Sequence, residues 1–180
     1  VLFPERFQWP GVYSIKMNES LRESFIKHVA DGSIAVAFEG YRYTYSHAGD
    51  NEYFEIGRAN RQASEASNQL LTMLQEARYR ADQLDILSEY QLVFGVGGGF
   101  GRGPSAGLLW MDFEHIQQDA PPQVVGHSRQ QRPTRTGQVL CQNVIRSNLD
   151  SSGGEAVLIE HPNKIVAVRN TPTDAVVTEI

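Results

Sequence analysis

"SIAVAFEGYRYTYSHAG", residues 33 to 49, is two β-rich runs set apart by Glu39 and Gly40, the pattern of a hairpin. Its second run gives way at His47 to Ala48 and Gly49. A strand that ends there delivers an imidazole to the rim of a sheet, and rims and loops are where binding groups concentrate. The same event recurs 80 positions later, where "QVVGHS", residues 123 to 128, is an apolar run that stops at Gly126 and His127. Neutral imidazole is the commonest metal ligand, and borderline divalent ions accept it readily. The pattern allows His47 and His127 to converge on one ion from the rim of a sheet, although the spacing alone does not require it. The competing reading leaves each as a loop histidine bonded to a carbonyl.

Working outward, Asn18 or Ser20 caps a short helix whose apolar side is Leu21, Phe25 and Val29, and Asp31 with Gly32 stops it. From about Glu55, the residues Ala59, Ala63, Ala66, Leu70, Met73, Ala77, Ala81, Leu84 and Leu87 recur at steps of three or four, which predicts one long amphipathic helix. Its alanine-rich face would lie close against a sheet or against a second copy of the chain. "YQLVFGVGGGFGRGPSAG", residues 90 to 107, reads as a strand running into a glycine-rich loop, and "LLWMDFEHI" as a brief helical or turn segment. "GQVLCQNVI", "GEAVLIEH" and "KIVAVRN" complete the chain as three β segments, the last two joined at Pro162 and Asn163. The fold class is α+β in a single domain, residues 1 to 180.

The bulk properties exclude several functions. A chain of 180 residues has length for one domain with its own core. A net charge of -5, with Lys16, Lys27 and Lys164 scattered, lacks the basic stripe that a phosphate backbone needs, so nucleic acid is not an expected partner. No apolar run is long enough for a bilayer, so no membrane partner is expected either. Cys141 is the one cysteine, which rules out an internal disulfide and fits a reducing, cytoplasmic setting.

"SHAG" after a hairpin, then "LLWMD", then "VVGH" after an apolar strand, then "GGEAVLIEHPNKIVAV" follow one another in this order. The set resembles the calcineurin-like metallophosphoesterases, within them the phosphoprotein-phosphatase branch that includes phage phosphatases and diadenosine tetraphosphatases, and spans residues 31 to 169. The resemblance implies a metallophosphoesterase β-sandwich flanked by helices. It implies that His47 and His127 ligate the same ion of a two-metal pair, with Mn, Fe, Zn or Mg as candidates. In that chemistry two ions about 4 Å apart clamp the phosphoryl oxygens and activate a bridging water. The family's Asp-x-His, Gly-Asp-x-x-Asp-Arg and Gly-Asn-His-Glu motifs do not occur here. The expectation is therefore the C-terminal half of a phosphatase that hydrolyses phosphate esters or anhydrides, with ion binding weak or absent and activity lacking in this chain alone. A non-catalytic interaction domain that retains the scaffold is the alternative. A chain without its partner layer would also expose apolar sheet or helix surface and self-associate. Met111 replaces the serine of the family's Leu-Leu-Trp-Ser-Asp element, so Trp110 is read as core and Asp112 as a supporting residue.

Other motifs fail on chemistry. The run "GVGGGFGRGP" has no Gly-Lys-Ser/Thr after it and no βαβ context, so it is neither a Walker loop nor a dinucleotide fingerprint. As a lid, it would let Arg102 reach a substrate phosphate. "GHSRQ" imitates a nucleophile elbow, but Gln130 stands where glycine is needed and Pro133 obstructs the helix that should follow. Ser128 is then a turn residue, and Cys141, inside an apolar strand, an inert thiol.

Overall fold

The computed structural model describes residues 15–75, 80–95, 102–144, 156–170 and 174–180. It is an α+β chain with two sheets. In order along the sequence the elements are α1 (Ile15–Ala30), β1 (Ala37–Glu39), β2 (Thr44–Ser46), α2 (Ile56–Gln75), α3 (Arg80–Glu89) and a single turn of helix, α4 (Gln91–Phe94). A 3-10 turn at Phe113–His115 precedes β3 (Gln123–Val125), β4 (Thr134–Thr136), β5 (Val139–Cys141), β6 (Ala156–His161), β7 (Lys164–Asn170) and β8 (Ala175–Glu179).

The first sheet has the order β1-β2-β3-β5-β4. β1 and β2 form the antiparallel hairpin, β2 runs parallel to β3, and β3 runs parallel to β5. A parallel pair needs a long crossover, and between β2 and β3 that crossover carries α2, α3 and α4. β3 and β5 are buried throughout, as expected of strands covered on both faces. Their alternation sorts the core. Val125, Val139 and Cys141 pack with Ala48, Ala106, Met111, Phe113, Ile116 and Ala120 on one side. Val124 and Leu140 pack with Tyr43 and Ile165 on the other. Ile165 belongs to β7, so the second sheet, the antiparallel β6-β7-β8 meander, lies against that face. A third cluster of Val29, Ala37, Phe54, Ala59, Ala63, Val93 and Leu108 seats the helices against β1.

Glu160 of β6 joins the two sheets. Its Oε1 accepts the backbone N–H groups of Arg42 (2.6 Å) and Tyr43 (3.1 Å), and its Oε2 accepts the Tyr45 hydroxyl at 2.9 Å. Burial, and then the Glu160 bond, raise the pKa of Tyr45, so the hydroxyl stays a donor. Gly40 makes room for this contact, since a Cβ there would stand 2.0 Å from Glu160 Oε2. Replacing Glu160 with alanine strips three donors of their acceptor, two of them partly buried. The expected loss is about 2 kcal/mol of unfolding free energy, read from the urea midpoint; a loss below about 0.5 kcal/mol would mean that solvent replaces the carboxylate without cost.

Four expectations are corrected. α1 begins at Ile15, so Asn18 and Ser20 lie within the helix and not at its start; its buried residues are Ile26 and Val29, while Leu21 and Phe25 are 56% and 51% exposed. The single long helix is two. The Gln69 side chain donates to the Tyr90 hydroxyl at 2.6 Å, whereas 21 residues of continuous helix would hold them about 30 Å apart. α3 therefore folds back on α2, and Leu70, Leu87 and Ile26 share one cluster. "QLVF" is α4 and not a strand, and β4 and β8 add strands to the β segments expected near the C-terminus. The glycine loop falls largely at residues 96–101, outside the described residues. On the outer face of the second sheet Val157 and Val177 are 62% and 63% exposed, each paired across to Val168 of β7. No helix among the described residues is long and apolar enough to cross a membrane.

Candidate functional site

Three adjacent parallel strands, β2, β3 and β5, end on the same edge of the first sheet, the place where open sheets present ligand-binding groups. His47 follows β2 directly, His127 follows β3 by two residues, and Gln142 and Asn143 follow β5. The parallel register is carried past the strands, because Gly126 N–H donates to His47 C=O at 2.9 Å and Gln142 N–H to Val125 C=O at 2.7 Å. Short strands suffice because only the last residue of each has to be aimed.

The turn after β2 explains its sequence. Gly49 has φ +92°, a conformation other residues resist, and a Cβ there would meet Val125 Cγ1 at 2.8 Å. Gln123, buried in β3, holds the far side of the turn. Its Oε1 accepts Asp50 N–H at 3.0 Å, and its Nε2 donates to the carbonyls of Asp50 (2.7 Å) and Pro121 (3.1 Å). Next to it, Asn51 bonds His115 C=O and Gln117 N–H at 3.0 and 2.8 Å.

The structure brings His47 and His127 together. His47 Nε2 and His127 Nδ1 are 2.9 Å apart, with the rings at 70° to one another. On its other side His127 Nε2 stands 3.0 Å from an Nη of Arg102. The same nitrogen of Arg102 donates to Asp112 Oδ1 at 2.7 Å, and that oxygen lies 3.7 Å from His127 Nε2. Asp112 also accepts the Ser128 hydroxyl at 3.0 Å, and Ser128 Oγ accepts Phe113 N–H at 2.8 Å. Asn143 Nδ2 donates to His127 C=O at 3.0 Å. The result is a connected line of polar groups: His47, His127, Arg102, Asp112, Ser128.

Its electrostatics favour neutral imidazoles. Burial, then His47, then Arg102 push the pKa of His127 down to about 4, against a smaller upward pull from Asp112. Burial on its inner side lowers that of His47. Both rings are therefore uncharged at neutral pH, the form a metal ion requires. Two nitrogens each about 2.1 Å from an ion and at right angles stand about 3 Å apart, so the pair fits one edge of a coordination sphere. It fits no more than an edge, because among the described residues no group of three or more His, Cys, Asp or Glu converges.

Trp110 is not a core residue. It is 43% exposed, with its ring edge-on to His127 at 6.2 Å between centroids, while Met111 takes the buried position at 1%. Among the described residues Ser128 has no imidazole partner, and Cys141 Sγ donates to Ser128 C=O at 3.2 Å while burial pushes its thiol up. The imidazole of His115 lies 3.8 Å from Glu114. Neither a Ser-His nor a Cys-His pair forms among the described residues. Gln123 and Asn143 are supports whose role the sequence did not show, since Asp50 and His127 lie 73 and 16 positions from them. No protein-family model, no curated protein and no solved structure matches this chain.

Proposed function

We propose that the chain is the C-terminal half of a calcineurin-like metallophosphoesterase, supplying His47 and His127 to a dinuclear phosphatase centre whose other ligands come from outside it. The reaction of the whole protein is hydrolysis of a phosphate ester or anhydride. The observation that supports this reading is the 2.9 Å approach of two neutral imidazoles at the ends of adjacent parallel strands. When bound, the ions neutralise phosphoryl charge and supply a hydroxide nucleophile. This chain's own part is positional. His47 and His127 hold one edge of an ion, Asp112 and Asn143 brace His127 from its side chain and its backbone, and Arg102 offers a guanidinium to phosphoryl oxygens.

Zinc binds imidazole more firmly than manganese or magnesium does, which makes it the sensitive probe. Calorimetric titration with Zn²⁺ is expected to show one weak site, its affinity reduced at least about tenfold in either His47→Ala or His127→Ala. Identical binding after removal of both rings would end the metal reading. With added Mn²⁺ the chain alone should not hydrolyse an aryl phosphate at an enzyme-like rate. The alternative, a non-catalytic interaction domain on the same scaffold, is favoured by one observation: the polar line from His47 to Ser128 is bonded internally without an ion. The natural reading frame separates the two, since only the phosphatase reading requires the Asp-x-His, Gly-Asp-x-x-Asp-Arg and Gly-Asn-His-Glu motifs in the same protein.

A further inference from the structure

The Arg102 contact constrains where the protons of the histidine pair can sit. A guanidinium only donates, so the Arg102 Nη at 3.0 Å makes His127 Nε2 an acceptor. A neutral ring with a lone pair on Nε2 carries its hydrogen on Nδ1. That hydrogen faces His47 Nε2 at 2.9 Å, which therefore accepts and leaves the His47 hydrogen on Nδ1. All three side chains are polarised in one direction, from Arg102 through His127 to His47.

An ion held between the two rings needs the opposite arrangement. It takes lone pairs from His47 Nε2 and His127 Nδ1, so the Nδ1 hydrogen of His127 has to go. One proton leaves Nδ1 for solvent and one arrives from solvent at Nε2, with no net change in charge on the ring. Nε2–H then points at Arg102, a donor facing a donor. The acceptor available to it is Asp112 Oδ1, now 3.7 Å away, and a carboxylate behind a ligating histidine is the usual support of such a ring.

We propose that Arg102 is a latch on His127: it holds the ring in the Nδ1–H form, and an ion entering the histidine pair displaces it, freeing the guanidinium for an oxyanion only after the ion has bound. The inference rests on the metal reading above and adds an order of events to it. Arg102 is a positioning residue in the ion-free state and an anion-binding residue in the loaded one. It is 47% exposed at its side chain, so the movement needs no repacking of the core. Asp112 is the pivot, bonded to Arg102 before the exchange and to His127 after it.

Histidine-labelled full chain, stripped with chelator and held at pH 7, tests this through long-range ¹H–¹⁵N spectra of the rings. The wild type is expected to show His127 as Nδ1–H, and Arg102→Met to show it as Nε2–H. Added Zn²⁺ should convert the wild type to Nε2–H and bind Arg102→Met about tenfold more tightly. Inorganic phosphate should move the Arg102 Nε–H resonance in the Zn²⁺-loaded protein alone. An Nε2–H ring in the ion-free wild type, an unchanged ring in Arg102→Met, or an equal phosphate response with and without Zn²⁺ would overturn the latch. Nδ1–H in the wild type with no response of either ring to Zn²⁺ would overturn the metal reading itself, and the displacement with it.

Discussion

Replacing Gln123 with leucine is expected to lower the unfolding free energy by about 3–5 kcal/mol, although the side chain is kept at nearly the same size. Gln123 is 1% exposed, and burying an amide is costly unless its donors and acceptors are matched. Here they are: one bond from Asp50 N–H, one to Asp50 C=O and one to Pro121 C=O. Leucine fills the space and leaves three partly buried backbone groups without the partner they have now. Each such group costs about 1–3 kcal/mol. The damage is local to function as well, because the turn that Gln123 fixes begins at His47. Urea unfolding measures the first effect, and hydrogen exchange at the Asp50 amide measures the second. Gln123→Glu separates shape from bonding: it keeps an acceptor for Asp50 N–H but turns an oxygen toward two carbonyls, so it should be destabilised as well. A leucine variant within about 1 kcal/mol of the wild type would show that the turn is held by the Gly49 contact with Val125 and not by the amide.

Local chemistry carried some of this organisation, and its limits follow from the range of the interactions. The hairpin at residues 37 to 46 and the two strand-end histidines were readable, because strand pattern and turn glycines act over a few residues. That His47 and His127 share an edge depends on β2 and β3 being parallel neighbours; the two similar strand endings only allowed it, and the family resemblance was what implied it. The helices failed where periodicity is blind. Ala59, Ala63, Ala66, Leu70 and Met73 of α2 and Leu87 of α3 are buried, and in the sequence the spacing of three or four runs on from one helix into the next, so periodicity does not mark where one ends and the other begins. "QLVF" failed because a four-residue apolar run has no period of its own. Trp110 was misread through its size, since the bend after Leu109 hands the buried position to Met111 and leaves the indole beside His127. Gln123 and Asn143 look like ordinary polar residues until the segments they brace are brought to them. The two-sheet packing through Ile165 and Glu160 was likewise outside the reach of sequence pattern.

Chelator-treated protein should lose stability as pH falls from 6.5 toward 4, and His127 should account for about 2–3 kcal/mol of that loss. In the unfolded chain this histidine takes up a proton near pH 6.5, whereas in the folded chain burial, His47 and Arg102 delay uptake until about pH 4. Between those values the unfolded state binds more protons than the native one, so unfolding is favoured as acid is added, at up to about 1.4 kcal/mol per pH unit for one group. Above pH 6.5 both states are neutral at this ring and the term is flat. The His127 side chain is 12% exposed, so solvent screening trims the effect without erasing it. His47 moves in the same direction and adds to the slope. Carboxylates titrate in the lower part of the window, and comparison with His127→Phe, which keeps a planar ring and cannot protonate, subtracts them. The difference between the two stability curves should open below pH 6.5 and level off near pH 4, with the phenylalanine protein losing less. Parallel curves across that range would mean that the ring charges in place, and the His47–His127–Arg102 line would then have to be drawn with an imidazolium at its centre.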